Sequence, residues 1–155
     1  MRKPKIEIFS DKNFVIDKKN LKKVINQVLN LVSNKFEQVA INFVNDEQLL
    51  ELNKRHLNHN YYTDILTFKF SDDPISTEIY ISFERAFENS KKYNSTFEDE
   101  ILRLISHGIL HSIGLNDYSR SEKIKMRRAE NHILNSIEKL QFIKKFKVND
   151  KWQNM

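Results

Sequence analysis

His107-Gly108-Ile109-Leu110-His111-Ser112-Ile113-Gly114-Leu115-Asn116-Asp117 holds both glycines of this 155-residue chain and two of its five histidines. Four residues apart, the histidines share one face of an α-helix and can reach a common ion. Gly114 can take the left-handed conformation that ends a helix and turns the chain back. Asp117 lies three residues past that turn, where a carboxylate can close the coordination. The pattern H-x3-H-x2-G-x2-D therefore reads as a three-ligand metal site, His107, His111 and Asp117, at the C-terminal end of a central helix. An open fourth position is the arrangement of catalytic zinc. An ordinary helix end with two polar histidines and a surface aspartate would carry the same letters. Gly108 weighs against that reading, because glycine inside a helix costs about 0.5–1 kcal/mol relative to alanine. In a chain that otherwise avoids glycine, this implies a close approach to the backbone there.

Outward from the motif, Ser95 or Thr96 opens the metal-bearing helix, with Ile101, Leu104 and Ile105 on its apolar side. Beyond the motif, Ser119-x-x-Glu122 is a capping box for a long last helix, its stripe running through Met126, Ala129, Ile133, Ile137 and Leu140. Upstream, Lys5 to Phe9 forms a short strand. Asp17 or Asn20 caps a helix carrying Leu21, Val24, Ile25, Val28 and Val32 at helical spacing. Glu37 to Val44 alternates as a strand, Asn45-Asp46 caps a helix through Leu49, Leu50 and Leu52, and Ile65–Phe70 and Glu78–Phe83 are strands around Asp72-Asp73-Pro74 turn chemistry. Glu84 to Tyr93 is a short helix. Phe68 and Phe70 are expected to face the core, and Trp152 either packs back or frays. The order predicts an α+β fold over 1–155 as a single domain, about four strands in a mixed sheet with about five helices.

Without cysteine, disulfides and thiolate sites are excluded, so a metal must be held by histidine and carboxylate. No stretch approaches a membrane span, and the N-terminus lacks the apolar run of a signal peptide, so a cytoplasmic protein is expected. The net charge of +5 suits a polyanionic partner such as RNA. The basic pairs, including Arg127-Arg128 and Lys144-Lys145, are spread over several elements and read mainly as solvated faces.

The motif around His107, His111, Gly114 and residue 117 resembles the YbeY family, bacterial metal-dependent endoribonucleases of ribosome maturation. Leu52-Asn53 and Tyr62-Thr63-Asp64-Ile65-Leu66-Thr67-Phe68 resemble its T-D-V-L-S-F segment, and Glu78-Ile79-Tyr80-Ile81 its following strand. The resemblance implies that His107, His111 and Asp117 hold one zinc or another divalent ion and are the catalytic set. It also implies a single-strand-specific endoribonuclease acting on ribosomal RNA of the small subunit, in 16S rRNA 3′-end maturation and ribosome quality control. Two departures stand out. Most members place histidine where Asp117 stands, and many place arginine where this chain has Leu57, after His56. Arg55 or His59 could replace that cation.

The spacing is also that of metzincin proteases, except that Gly108 replaces their general-base glutamate. Peptide hydrolysis is thereby disfavoured, whereas a phosphodiester can be attacked with Lewis-acid activation and metal-bound water or hydroxide. Gly108 would leave room for the phosphate. A ribosome-assembly factor with a merely structural metal is the other alternative. Arg103 is expected to pair with Glu100 or Asp99, His132 to be structural, and Thr63, Asp64, His56 and His59 are weaker candidates for touching substrate.

Overall fold

The computed structural model describes residues 3–155. In chain order the elements are β1 (Lys5–Ser10), β2 (Phe14–Ile16), α1 (Lys18–Val32), β3 (Phe36–Val44), α2 (Asp46–Leu57), β4 (Ile65–Asp72) and β5 (Ile75–Ser82). There follow α3 (Phe83–Lys92), α4 (Phe97–Ser112), α5 (Arg120–Ser136), β6 (Ile143–Val148) and β7 (Lys151–Asn154). The fold is α+β, as expected, with five helices and a mixed four-stranded sheet ordered β1-β3-β5-β4. β1, β3 and β5 are mutually parallel, and β4 returns antiparallel along β5.

Alternation decides which side of this sheet is covered. Val39, Ile41 and Phe43 of β3 and Ile79 and Ile81 of β5 are buried in one cluster with Leu21, Val24, Ile25 and Val28 of α1 and Ile101, Ile105 and Ile109 of α4. The helices start where side chains can cap them: Asp17 accepts from the Asn20 N–H, Thr96 from the Asp99 N–H, and Ser119 with Glu122 forms a reciprocal capping box.

Two expectations are corrected, and one left open is answered. The last helix stops at Ser136, and Ile137 is extended. The side chain of Gln27 there clamps the backbone N–H and C=O of Glu138, so the chain leaves α5 with its polar groups satisfied. The basic tail, which the sequence leaves to pack back or fray, is ordered as strands. β6 and β7 form a second sheet, ordered β2-β6-β7, whose Phe146 pairs with Phe14 in the core. Asn149 and Asp150 both have positive φ, which makes the connection a two-residue primed hairpin turn. Phe70 is 67% exposed and Phe68 half-buried, because the β4–β5 register slips between Lys69 and Ser71 and turns Phe70 outward.

Gly108 has a packing reason. A Cβ there would sit 2.7 Å from Ile79 Cδ1 and 3.0 Å from its Cγ1, so α4 rides directly on β5. The close approach anticipated from sequence is made by the sheet, not by phosphate. Gly108→Ala should cost about 1–2 kcal/mol in urea unfolding, since overpacking (about 1–3 kcal/mol) outweighs the gain in helix propensity. Ile79→Val removes the 2.7 Å contact, so the double variant should recover part of that loss. Strict additivity of the two changes would show that this contact is not the reason for glycine.

Candidate metal centre

The end of α4 is set by backbone chemistry. The Leu115 N–H donates to the Leu110 carbonyl and the Gly114 N–H to the His111 carbonyl, the paired bonds of a Schellman motif, with Gly114 at φ 104°. The reversed chain carries Asp117 back to the two imidazoles. Its Oδ2 lies 3.4 Å from His107 Nε2 and its Oδ1 3.4 Å from His111 Nε2. All three residues are partly exposed, and one ligand atom from each lies within 4.8 Å of the others. A tetrahedral ion with bonds of about 2.0–2.2 Å separates its ligand atoms by roughly 3.3–3.6 Å. The two 3.4 Å separations match that spacing, so two imidazole nitrogens and a carboxylate could hold a small divalent ion here.

His107 is oriented from behind. Its Nδ1 donates to Glu130 Oε2 at 2.7 Å, which leaves Nε2 free to face the site. Glu130 is buried on α5, and its other oxygen meets Arg103 Nη1 at 3.3 Å, while Arg103 also pairs with Glu100. Burial pushes the Glu100 carboxyl above the usual carboxylate range, against the pull of Arg103. Burial opposes the charge on Arg103, yet its bonds to Glu100 and Glu130 hold its pKa above the ordinary value. Arg103 is thus a pairing residue, as expected, with Glu100 as the partner; Asp99 instead meets Lys139. Glu130 was not foreseen. A glutamate on a helix after the motif has no signature until the fold brings α5 alongside α4.

The three candidate ligands open onto a cleft of about 520 Å³ between the last turn of α4, β4 and the segment after α2. Ser112 ties this turn to the sheet, its Oγ lying 2.9 Å from both Thr77 Oγ1 and the Gly108 carbonyl oxygen. Asn53, buried, holds the cleft segment through Nδ2 to the Tyr61 carbonyl. Thr63, Asp64 and His59 line the cleft, whereas His56 and Arg55 do not. Asp64 accepts from Asn89, and His59 stacks on Tyr61, whose hydroxyl meets its Nδ1. Leu57 forms part of the cleft wall. Among the described residues the one lysine or arginine in the lining is Lys69, 2.6 Å from Asp72. His132 is exposed on α5 and does not line the cleft.

Asp117→His should keep a bound ion, and Asp117→Ala should lose most of its affinity, because alanine leaves two protein ligands where catalytic zinc sites usually have three. Competition against a chromophoric chelator reads both; wild-type affinity in a folded Asp117→Ala protein would place the third ligand elsewhere.

Residues 6–138 match the family model described as Endoribonuclease YbeY. Among similar curated proteins, the Bacteroides fragilis "Endoribonuclease YbeY" is 38% identical over 120 residues, covering 77% of this chain and 86% of that protein. The protein of the same name from Christiangramia forsetii is 33% identical over 132 residues, covering 84% and 92%. A solution structure from Thermotoga maritima superimposes with a TM-score of 0.59 at 25% identity, covering 84% of this chain and 89% of that one.

Proposed function

The chain belongs to the YbeY family of endoribonucleases, and on that footing we propose that it is, over its whole length, a zinc-dependent hydrolase that cuts single-stranded ribosomal RNA in the cytoplasm. Its tasks under this reading are maturation of the 16S rRNA 3′ end and ribosome quality control. The observation that carries this reading is the convergence of His107, His111 and Asp117 on one point at the wall of an open cleft. Among the described residues no helix is long and apolar enough to cross a membrane.

His107 and His111 present Nε2 lone pairs and Asp117 a carboxylate, which would together hold the ion. When bound, the ion supplies Lewis-acid polarisation of the phosphodiester and activation of water near neutral pH. The remaining work falls to the chain. Glu130 keeps the His107 proton on Nδ1, so that Nε2 stays a ligand. Lys69, on the cleft side of β4, offers the positive charge for a flanking phosphate that Leu57 does not provide. Ser112 and Thr77 keep the ligand-bearing turn of α4 rigid against the sheet.

Peptide hydrolysis lacks support, because position 108 points at Ile79 and not into the cleft, so no proton-transfer group can stand there. Metal-loaded protein should be incubated with single-stranded RNA, duplex RNA and a denatured protein, with His111→Ala as the control for contaminating nuclease. Cleavage of the single strand alone, lost in the variant, is the expected result. Equal cleavage by both proteins, or none by either, would overturn the reading.

A further inference from the structure

The family match ends at residue 138, yet the chain goes on to build β6 and β7. These strands are tied down firmly. Glu98, in the first turn of α4, accepts the backbone N–H groups of Phe142 and Ile143, and Phe142, Ile143, Phe146 and Val148 are all buried. The opposite side of the hairpin is a different surface. Residues 144–155 contain Lys144, Lys145, Lys147 and Lys151 against the single acidic Asp150, and so carry +3 of the chain's net +5. Lys145 and Lys147 alternate with the buried Phe146 and Val148 and therefore project outward. Trp152 stands opposite Lys147 across the hairpin, 48% exposed, with Lys145 Nζ 4.9 Å from its ring centroid. A row of lysines beside one exposed indole combines the two elements of sequence-tolerant single-strand binding, phosphate neutralisation and base stacking.

None of these residues lines the metal-site cleft. The hairpin is anchored at the Glu98 end of α4 and the ligands lie at its His111 end, roughly 20 Å apart at 1.5 Å per residue. We infer that the outer face of the β6–β7 hairpin is a second RNA-docking surface, formed by Lys145, Lys147 and Trp152, which holds the single strand outside the segment engaged at the metal. This rests on the ribonuclease reading. Its consequence is a preference for long single strands over short ones that fill only the cleft.

Trp152 is the only tryptophan in the chain, so its fluorescence reports this surface without a label. The His111→Ala protein, which should bind without cutting, is titrated with a long single-stranded RNA and with a short oligonucleotide. The long strand is expected to quench Trp152 and the short one not. Adding Lys145→Ala, Lys147→Ala and Trp152→Phe should weaken long-strand binding, measured by anisotropy, by tenfold or more. The magnitude of the log affinity against log salt slope should fall by about 1.4, from two lost phosphate contacts on a single strand. Cutting of the short oligonucleotide by the metal-loaded enzyme carrying the three hairpin changes should stay as in the wild type. Unquenched tryptophan at saturating long RNA, or an unchanged slope, overturns the proposal while leaving the ribonuclease reading intact. Displacement of the RNA by an equally charged polyglutamate overturns it in favour of an acidic protein partner. Failure of the wild type to bind or cut any RNA overturns both.

Discussion

Replacing His111 by alanine is expected to remove the bound metal and to slow RNA cleavage roughly a thousandfold, with the fold intact. Lewis-acid catalysis is worth several kcal/mol of transition-state stabilisation, and each 1.36 kcal/mol is tenfold in rate. Alanine leaves His107 and Asp117 as the protein ligands, too few for a catalytic zinc site. The cost to folding should be small, because the His111 ring is partly exposed and makes no side-chain hydrogen bond among the described residues. That makes it a cleaner test than His107, whose removal would also strip Glu130 of a partner. Elemental analysis, a urea melt and a cleavage assay on the same preparation separate the effects. A folded variant that keeps its ion would place the metal elsewhere, and one that loses the ion yet cuts RNA would make the metal structural.

Short-range patterns explain why so much of this site could be read in advance. His107 and His111 follow helical spacing, and Gly114 marks a turn that few other residues tolerate. Both signals lie within a few residues of each other and depend little on tertiary context. The Ser119 capping box is legible for the same reason, and Asp17 and Thr96 each as one of two candidate caps. What escaped the sequence depends on long-range packing. Glu130 is 23 residues from His107, Lys69 enters the cleft only because β4 runs beside α4, and Ser112 meets Thr77 across 35 positions. Gly108 stands out in the sequence, but its neighbour is Ile79 of β5, and sequence alone cannot say whether a helix face meets a ligand or a strand. The β6–β7 hairpin was missed because Asn149-Asp150 lacks the glycine that usually marks a primed turn. Ile143 and Phe146 also stand three residues apart, out of step with the alternation of Phe146 and Val148, where the β2–β6 register shifts between Val15 and Ile16.

Glu130→Gln should lower metal affinity by about 10–100-fold, the range typical of losing the group that orients a metal-bound histidine. The carboxylate now gives one oxygen to His107 and the other to Arg103. An amide has a single acceptor, so either His107 loses its partner or the new NH2 group faces the Arg103 guanidinium. Folding stability should fall as well, by about 1–3 kcal/mol, the cost of a buried polar group left unsatisfied. It should stay below the 3–5 kcal/mol of a fully broken buried pair, because Arg103 keeps Glu100. Glu100→Gln is the necessary comparison. It also weakens the bonds of Arg103 but does not touch His107, so it should reduce stability while leaving metal affinity near the wild-type value. Chelator competition at saturating protein fold, alongside urea unfolding of the metal-free proteins, measures the two quantities separately. If both variants lose stability and neither loses affinity, Glu130 serves only to join α5 to α4. If Glu130→Gln alone loses affinity, its carboxylate sets the His107 ring, and α5 is part of the metal centre although it supplies no ligand.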